Sequence, residues 1–428
     1  MLGQTLGMGS NDPEHRPPSV TPKAYCRGTH RTVGPTQTLA RVRALMGPMA
    51  ITRIANVTGL DCVGIPVVMV CRPNARSLAV SQGKGLDLDS AKASGLLETV
   101  ELYHAERISL PLKLATWNEL RFTHDLAQVE ALPRISVSQF HSNHTLLWIS
   151  GVNLMSGKSL WLPYEMVHTN YTLPLPTGSG CFFMSSNGLA SGNHTLEAVS
   201  HGLCEVIERD AAALFRCRDL QQQALLRVAP ETIEDPDCRQ ILDLYSRAGV
   251  DVGIWDMTSD VGLATFRCVV VDATPNPFRQ VGPLEGMGCH PVREIALSRA
   301  LTEAAQGRLT LIAGSRDDNG RGRYAEAQGE ELGQRARACL AQKAHRHFEE
   351  TPSYNNETFE EDLKLILQRL SAVGVSQAIV VDLSKPEFRI PVVRVVVPGL
   401  EPFHRMQGYV PGERAIRILR ARAEGVSP

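Results

Sequence analysis

Residues 186–211 read SNGLASGNHTLEAVSHGLCEVIERDA, and they decide how this chain is read. A run of small residues gives way to a helix bearing Glu197, Glu205 and Glu208. The arrangement returns twice. Residues 81–106, SQGKGLDLDSAKASGLLETVELYHAE, carry Glu98 and Glu101; residues 286–308, GMGCHPVREIALSRALTEAAQGR, carry Glu303 and Gln306. Side chains three apart on a helix share a face, so each copy projects two oxygen ligands in one direction. Their neighbours in LLETVELYH, LCEVIERDAAALF and RALTEAAQG are apolar or small, so the acids sit in helices that otherwise read as core. Any one of these glutamates alone reads more simply as part of a solvated stripe. Recurrence of the spacing, each time after a Gly/Ser-rich loop, favours a common purpose for the set. Buried acids must be paired, protonated or metal-bound, and converging carboxylates call for cations. Hard, oxygen-bound Mg2+ in turn goes with phosphates.

Other chemistry-bearing residues lie around these helices. Arg209 follows Glu208 and reads either as an ion-pair partner or as a clamp on phosphate oxygens, which guanidinium recognises through two parallel hydrogen bonds. Arg308 is a weaker candidate for that role, and Arg299 reads as structural. Lys84 lies in SQGKG, where glycines let backbone approach a ligand. The residue after it is Gly85, so this is no Walker A loop. Gly286-x-Gly288 is only a fragment of a dinucleotide fingerprint. Asn193 and His194 stand at the entrance of the second acidic helix, Asn193 also suiting an N-cap. No zinc-hydrolase spacing and no G-x-S-x-G elbow occurs.

The bulk numbers exclude several classes. At 428 residues, 43% hydrophobic and 21% charged, the chain suits an ordinary globular enzyme with a large core. A net charge of −1 gives no global field for nucleic acid or an anionic membrane. No apolar run approaches the roughly 20 residues that span a bilayer. The N-terminus lacks a basic start and an apolar stretch, so no secretory signal is expected. Ten scattered cysteines without a C-x-x-C pair argue against a zinc ribbon or disulfide framework and for a reducing cytoplasm.

Residues 1–37 read as a loose lead-in. Periodicity then predicts helices at 38–45, 90–107, 195–215 and 292–313 and strands at 51–57, 64–71, 145–151 and 160–164. The polar segment GSRDDNGRGRYAEAQGEE reads as an exposed loop. Around 240–272 and again around 362–398 the order is helix, Gly-Val, a strand ending in Asp, a turn and a second strand. Repeated units of this kind predict an α+β fold: layered β-sheets with packed helices, built from internally repeated αββ units.

The E-A-x-x-x-G-L-x-E-x-x-E-R-D stretch, with SQGKG…SGLLETVEL, GMGCHP…ALTEAAQGR and the late VVVPGLEPFH, closely resembles the YcaO superfamily, from about residue 66 to 410. The resemblance implies a lead-in and accessory segment over 1–65 and a catalytic domain over 66–428. It also implies ATP held without a P-loop and used, with Mg2+, to activate a peptide backbone amide. Carried over residue by residue, Glu98, Glu101, Glu205 and Glu208 match the acids that hold Mg2+. Glu205, Glu208 and Arg209 match the catalytic set. Lys84, Asn193, Glu197, Arg209, Glu303 and Gln306 match the nucleotide pocket. Ala190 departs from relatives that place a serine there; Ser191 is adjacent.

Azoline-forming members often end in alternating prolines, whereas this chain ends RILRARAEGVSP. Its look is closer to stand-alone members encoded beside a TfuA partner. The resemblance therefore implies a peptide or protein substrate, thioamide formation with a TfuA-like partner and a sulfur donor, and a homodimer. The alternatives are an azoline-forming cyclodehydratase acting on Cys, Ser or Thr, a non-catalytic scaffold, and an ATP-dependent enzyme acting on a small molecule. Cys204 and Cys289 lie within the motifs and read as core residues before they read as sulfur relays.

Overall fold

The computed structural model describes residues 20–275, 281–316, 318, 330–403 and 407–424. The expected lead-in therefore lies partly, and the polar segment at 314–331 mostly, outside the described residues. Two compact units are present: Met1–Ala24, Glu101–Cys217 and Asn356–Pro428 form one, Tyr25–Val100 and Arg218–Asn355 the other. In chain order the helices used below are α1 (Pro35–Arg43), α2 (Leu88–Glu106), α3 (Thr195–Cys217), α4 (Pro236–Arg247), α5 (Arg293–Ala313) and α6 (Phe359–Ala372).

The unit containing Tyr25–Val100 has two antiparallel sheets. One is β1 (Arg53–Asn56), β2 (Val67–Cys71) and β3 (Val80–Lys84) in that order. The other runs β11-β10-β9-β8, from β8 (Arg227–Val228), β9 (Val250–Asp256), β10 (Thr265–Asp272) and β11 (Leu284–Cys289). Helix α5 packs on β10 and β11 and also touches β2 and β3. Its Leu297 and Leu301 join Ile254, Phe266 and Val270 in the core. Tyr245 of α4, fully buried there, donates to the Leu301 carbonyl at 2.8 Å, which satisfies its hydroxyl.

The other unit has one sheet ordered β4-β5-β12-β13-β7, with β6 paired to β5. Its strands are β4 (Leu112–Thr116), β5 (Thr145–Asn153), β6 (Ser159–Pro163), β7 (Leu189–Ser191), β12 (Ile379–Asp382) and β13 (Val392–Val396). Helix α3 packs on β7, β13 and α6 and is buried on nearly every side. That burial explains why its acids need internal partners.

The α+β expectation holds, and the elements read from periodicity appear within a few residues of their expected ends. Both αββ segments form: α4 with β9 and β10, and α6 with β12 and β13, each strand pair antiparallel. Gly249 and Gly374 follow the two helices with φ of 67° and 85°, a left-handed turn that glycine adopts without strain.

One expectation needs correcting. The small-residue stretches before the acidic helices are not loops; they contain β3, β7 and β11. Their glycines serve close packing. A Cβ on Gly83 of β3 would lie 2.1 Å from the Ala91 carbonyl oxygen of α2, and one on Gly288 of β11 would lie 2.1 Å from that of Ala296 in α5. Each strand thus folds straight back onto the helix that follows it. Gly288→Ala must push α5 off the sheet and is expected to cost about 1–3 kcal/mol. An unchanged urea midpoint for that variant would refute the packing argument.

Candidate functional site

The acids divide between the two units, and each set is described by itself. In the unit with α3, Glu101 Oε1 accepts from the backbone N–H and the hydroxyl of Ser191, both at 2.8 Å. Glu205 Oε2 accepts from the Gly188 N–H at 3.3 Å. Arg209 Nη1 lies 3.2 Å from Glu208 Oε1, and its Nη2 lies 3.8 Å from Glu205 Oε1. The guanidinium carbon stands 5.2 Å from the centre of the Phe403 ring. An aromatic ring and two acids flank Arg209, and a guanidinium offers paired donors to an oxyanion. Asn193 Nδ2 donates to Glu197 Oε1 at 3.3 Å, joining those two predicted residues. Ala190 is fully buried and offers no polar group, whereas the neighbouring Ser191 engages Glu101.

In the other unit, Lys84 Nζ lies 2.6 Å from Glu303 Oε2, and the Met287 N–H donates to Glu303 Oε1 at 3.4 Å. Glu98 Oε2 accepts from the Gln82 N–H at 3.4 Å. Gln306 Nε2 donates to Gln82 Oε1 at 3.4 Å, as does the Thr310 hydroxyl at 2.6 Å. Lys84 also lines a cleft with Arg27, Arg31, Ser90, Ser94 and Arg299. A recess that combines guanidinium, ammonium and hydroxyl groups suits an anion.

The chain passes from one unit to the other between Val100 and Glu101, within α2, so Glu98 and Glu101 lie one turn apart on one continuous helix. Among the described residues, no group of three or more His, Cys, Asp and Glu is drawn together. The donor chemistry nevertheless fits Mg2+: the predicted ligands are all carboxylate oxygens, and no soft ligand is among them.

Three cationic side chains escaped the sequence reading or were read otherwise. Arg299 lines the cleft beside Lys84, and its buried Nε has no hydrogen-bond partner. Its position four before Glu303 and seven before Gln306, on one helix face, was the available signal. Arg27 lies in the expected accessory segment, and nothing in the sequence marked it. Arg308, weighed as a phosphate ligand, is instead fully buried against Asp61 and Asp272.

His168 adds a pH-sensitive group in the unit of α3. Its ring is fully buried and stacks on Tyr164 at 4.6 Å. Burial, helped by the Arg394 charge, lowers its pKa from 6.5 to about 4. Between those values the unfolded chain takes up a proton that the native state refuses, so stability rises with pH and is lost on acidification. This group alone is expected to remove on the order of 3 kcal/mol between pH 7 and pH 4. His168→Asn should flatten the acid limb of urea-unfolding curves; an unchanged slope would refute the assignment.

All ten cysteines are free thiols, and Cys204 and Cys289 are buried. No helix among the described residues is long and apolar enough to cross a membrane.

Comparison with known proteins gives consistent matches. A family model described as YcaO cyclodehydratase, ATP- and Mg2+-binding, matches residues 82–401. An uncharacterized protein in the tfuA 3′ region of Rhizobium leguminosarum bv. trifolii is 36% identical over 396 residues, 91% of this chain and 93% of that protein. An uncharacterized protein of Methanothermobacter thermautotrophicus is 34% identical over 407 residues, 91% of this chain and 99% of its own. Among solved structures, a heterocyclase in complex with substrate and cofactor superposes with a TM-score of 0.73 at 22% identity, over 96% of this chain and 57% of that one. The YcaO of Methanopyrus kandleri bound with AMPPCP and Mg2+ superposes at 0.70 and 21% identity, over 89% of this chain and 95% of its own. At these identities the two structures establish a shared fold.

Proposed function

This chain belongs to the YcaO family, an ATP- and Mg2+-binding family of cyclodehydratases, and from that premise we propose that it phosphorylates a backbone amide oxygen of a peptide or protein, most specifically to form a thioamide with a TfuA-like partner. The observation that carries this reading is Arg209, flanked by Glu205, Glu208 and Phe403. An amide oxygen is a poor leaving group, and phosphorylation makes it a good one. Attack on the carbonyl carbon puts negative charge on that oxygen, which takes the γ-phosphoryl group and releases ADP. Departure of phosphate then leaves a C=N bond when a neighbouring Cys, Ser or Thr has attacked, or a C=S bond when sulfide has.

Transfer of this kind needs positioned cations and a clamp on phosphate oxygens more than covalent help from the protein. Mg2+ supplies neutralisation of the transferring group. Glu98, Glu101, Glu205 and Glu208 are the residues to hold it. Arg209 orients phosphate oxygens. Lys84, Asn193, Glu197, Glu303 and Gln306 bind nucleotide, with Arg299 added from the cleft. Residues 66–428 are taken as the catalytic domain and 1–65 as accessory.

The Rhizobium relative's place in a tfuA 3′ region supports a TfuA-like partner and the thioamide product. The family description as a cyclodehydratase favours the second reading, azoline formation. Intact-mass analysis of a candidate precursor peptide, incubated with Mg-ATP and then with sulfide and a TfuA-like protein, separates them. Exchange of oxygen for sulfur supports thioamidation, and loss of one water supports azoline formation. Phosphate release with no change in the peptide would defeat both.

A further inference from the structure

Arg394, in the middle of β13, is 1% exposed, and its Nε and Nη1 have no hydrogen-bond partner. Two other arginines each make two hydrogen bonds to an aspartate: the fully buried Arg308 to Asp61, at 2.7 and 3.1 Å, and the half-buried Arg414 to Asp210, at 2.9 and 3.0 Å. A buried guanidinium with unused donors is costly, because each unmet N–H forfeits its bond to water. Burial lowers the pKa of Arg394 only to about 10, so it stays charged near neutrality.

The sheet fixes where this charge stands. Arg394 is the direct cross-strand partner of Leu189, and Val392 that of Ser191. Side chains alternate between faces, and the Val395 side chain meets Gly202 of α3, so Arg394 points away from α3. It therefore shares a face with Ser191, diagonal to it and within reach of a long side chain. Ser191 is the residue that donates to Glu101. Gly188, next to Leu189, donates its N–H to Glu205 and accepts from the Val395 N–H at 2.7 Å. Glu205 and Tyr171 interact electrostatically with Arg394, and the Arg394 charge is felt at His168. Arg394 thus stands in register with the strand whose residues anchor two of the acids proposed for Mg2+.

We propose that Arg394 is a substrate-binding residue of this site and holds an oxyanion through its two unused guanidinium nitrogens. The oxyanion comes either from the terminal phosphoryl group of the nucleotide or from the amide oxygen under attack. This rests on the reading given under Proposed function. A guanidinium offers two parallel donors to such a group, which an ammonium cannot reproduce.

The test uses full-length protein, Arg394→Gln and Arg394→Lys, with calorimetric binding of Mg-AMPPCP and Mg-ADP and steady-state phosphate release with the peptide found by the mass assay. If the nucleotide supplies the oxyanion, Arg394→Gln weakens AMPPCP by about tenfold or more, leaves ADP within about twofold, and Arg394→Lys falls between. If the amide oxygen does, both nucleotides bind as in wild type while kcat falls about tenfold or more at unchanged KM. A folded Arg394→Gln that matches wild type in all three overturns the proposal. Should Arg394→Gln not fold, Arg394→Lys decides, and wild-type values in it overturn the proposal equally. Wild-type protein that binds neither nucleotide overturns the underlying function, a failure distinct from loss confined to the variants.

Discussion

Glu205→Gln is expected to fold normally and to lose about a hundredfold or more of Mg-ATP turnover. The substitution keeps volume and an acceptor oxygen, so the bond from the Gly188 N–H at 3.3 Å can persist. The Glu205 side chain is 20% exposed, so its new amide can also reach water. What disappears is one negative charge beside Arg209 and at the site proposed for Mg2+. Glu208 would be a poorer probe: it is 3% exposed and lies 3.2 Å from Arg209, so neutralising it strands a guanidinium and confounds folding with chemistry. Phosphate release with excess Mg-ATP, read beside thermal melts, checks the result. A folded variant with wild-type turnover would remove Glu205 from the mechanism.

Arg308→Met is expected to destabilise the protein by about 3–5 kcal/mol, enough to abolish most folding in a domain of ordinary stability. The Arg308 side chain is fully buried between Asp61 and Asp272. Nε and Nη2 donate to Asp61, while Nη1 lies 3.0 Å from Asp272 Oδ1 but off the axis of a good hydrogen bond. Methionine fills similar volume yet removes the guanidinium that faces both buried carboxylates. The Asp61 carboxyl, held below its usual pKa mainly by Arg308 against the cost of burial, would rise. Removing all three charges together, as in Arg308→Met with Asp61→Asn and Asp272→Asn, should recover much of the loss. Urea denaturation at neutral pH measures both. A loss below about 1 kcal/mol for the single variant would mean that water reaches the pair.

The three acidic helices were legible because periodicity and helix-face spacing are local properties of the chain. Glu98 with Glu101, and Glu205 with Glu208, needed only a count of three. The matching strand pairs after Gly249 and Gly374 were legible for the same reason: a glycine turn and a run of β-branched residues are local signals. The strands β3, β7 and β11 were misread as loops because glycine and serine disfavour strands on average. Tertiary packing overrode that preference, since only glycine lets β3 and β11 lie against the helices that follow them.

The sequence by itself determined the family and the α+β class, and it offered the carboxylates and amides proposed for nucleotide chemistry, because each depends on residue identity at short spacing. Only the tertiary structure decided what neutralises those groups. Arg308 and Arg394 are both single basic residues among apolar neighbours, and no local pattern separates them. Folding sets one between two aspartates more than 200 residues apart and leaves the other with unused donors on a strand paired with Leu189–Ser191. The reason is physical: the role of a buried charge is fixed by its spatial partners, and those are brought together by sheet register and helix packing rather than by neighbours in the chain.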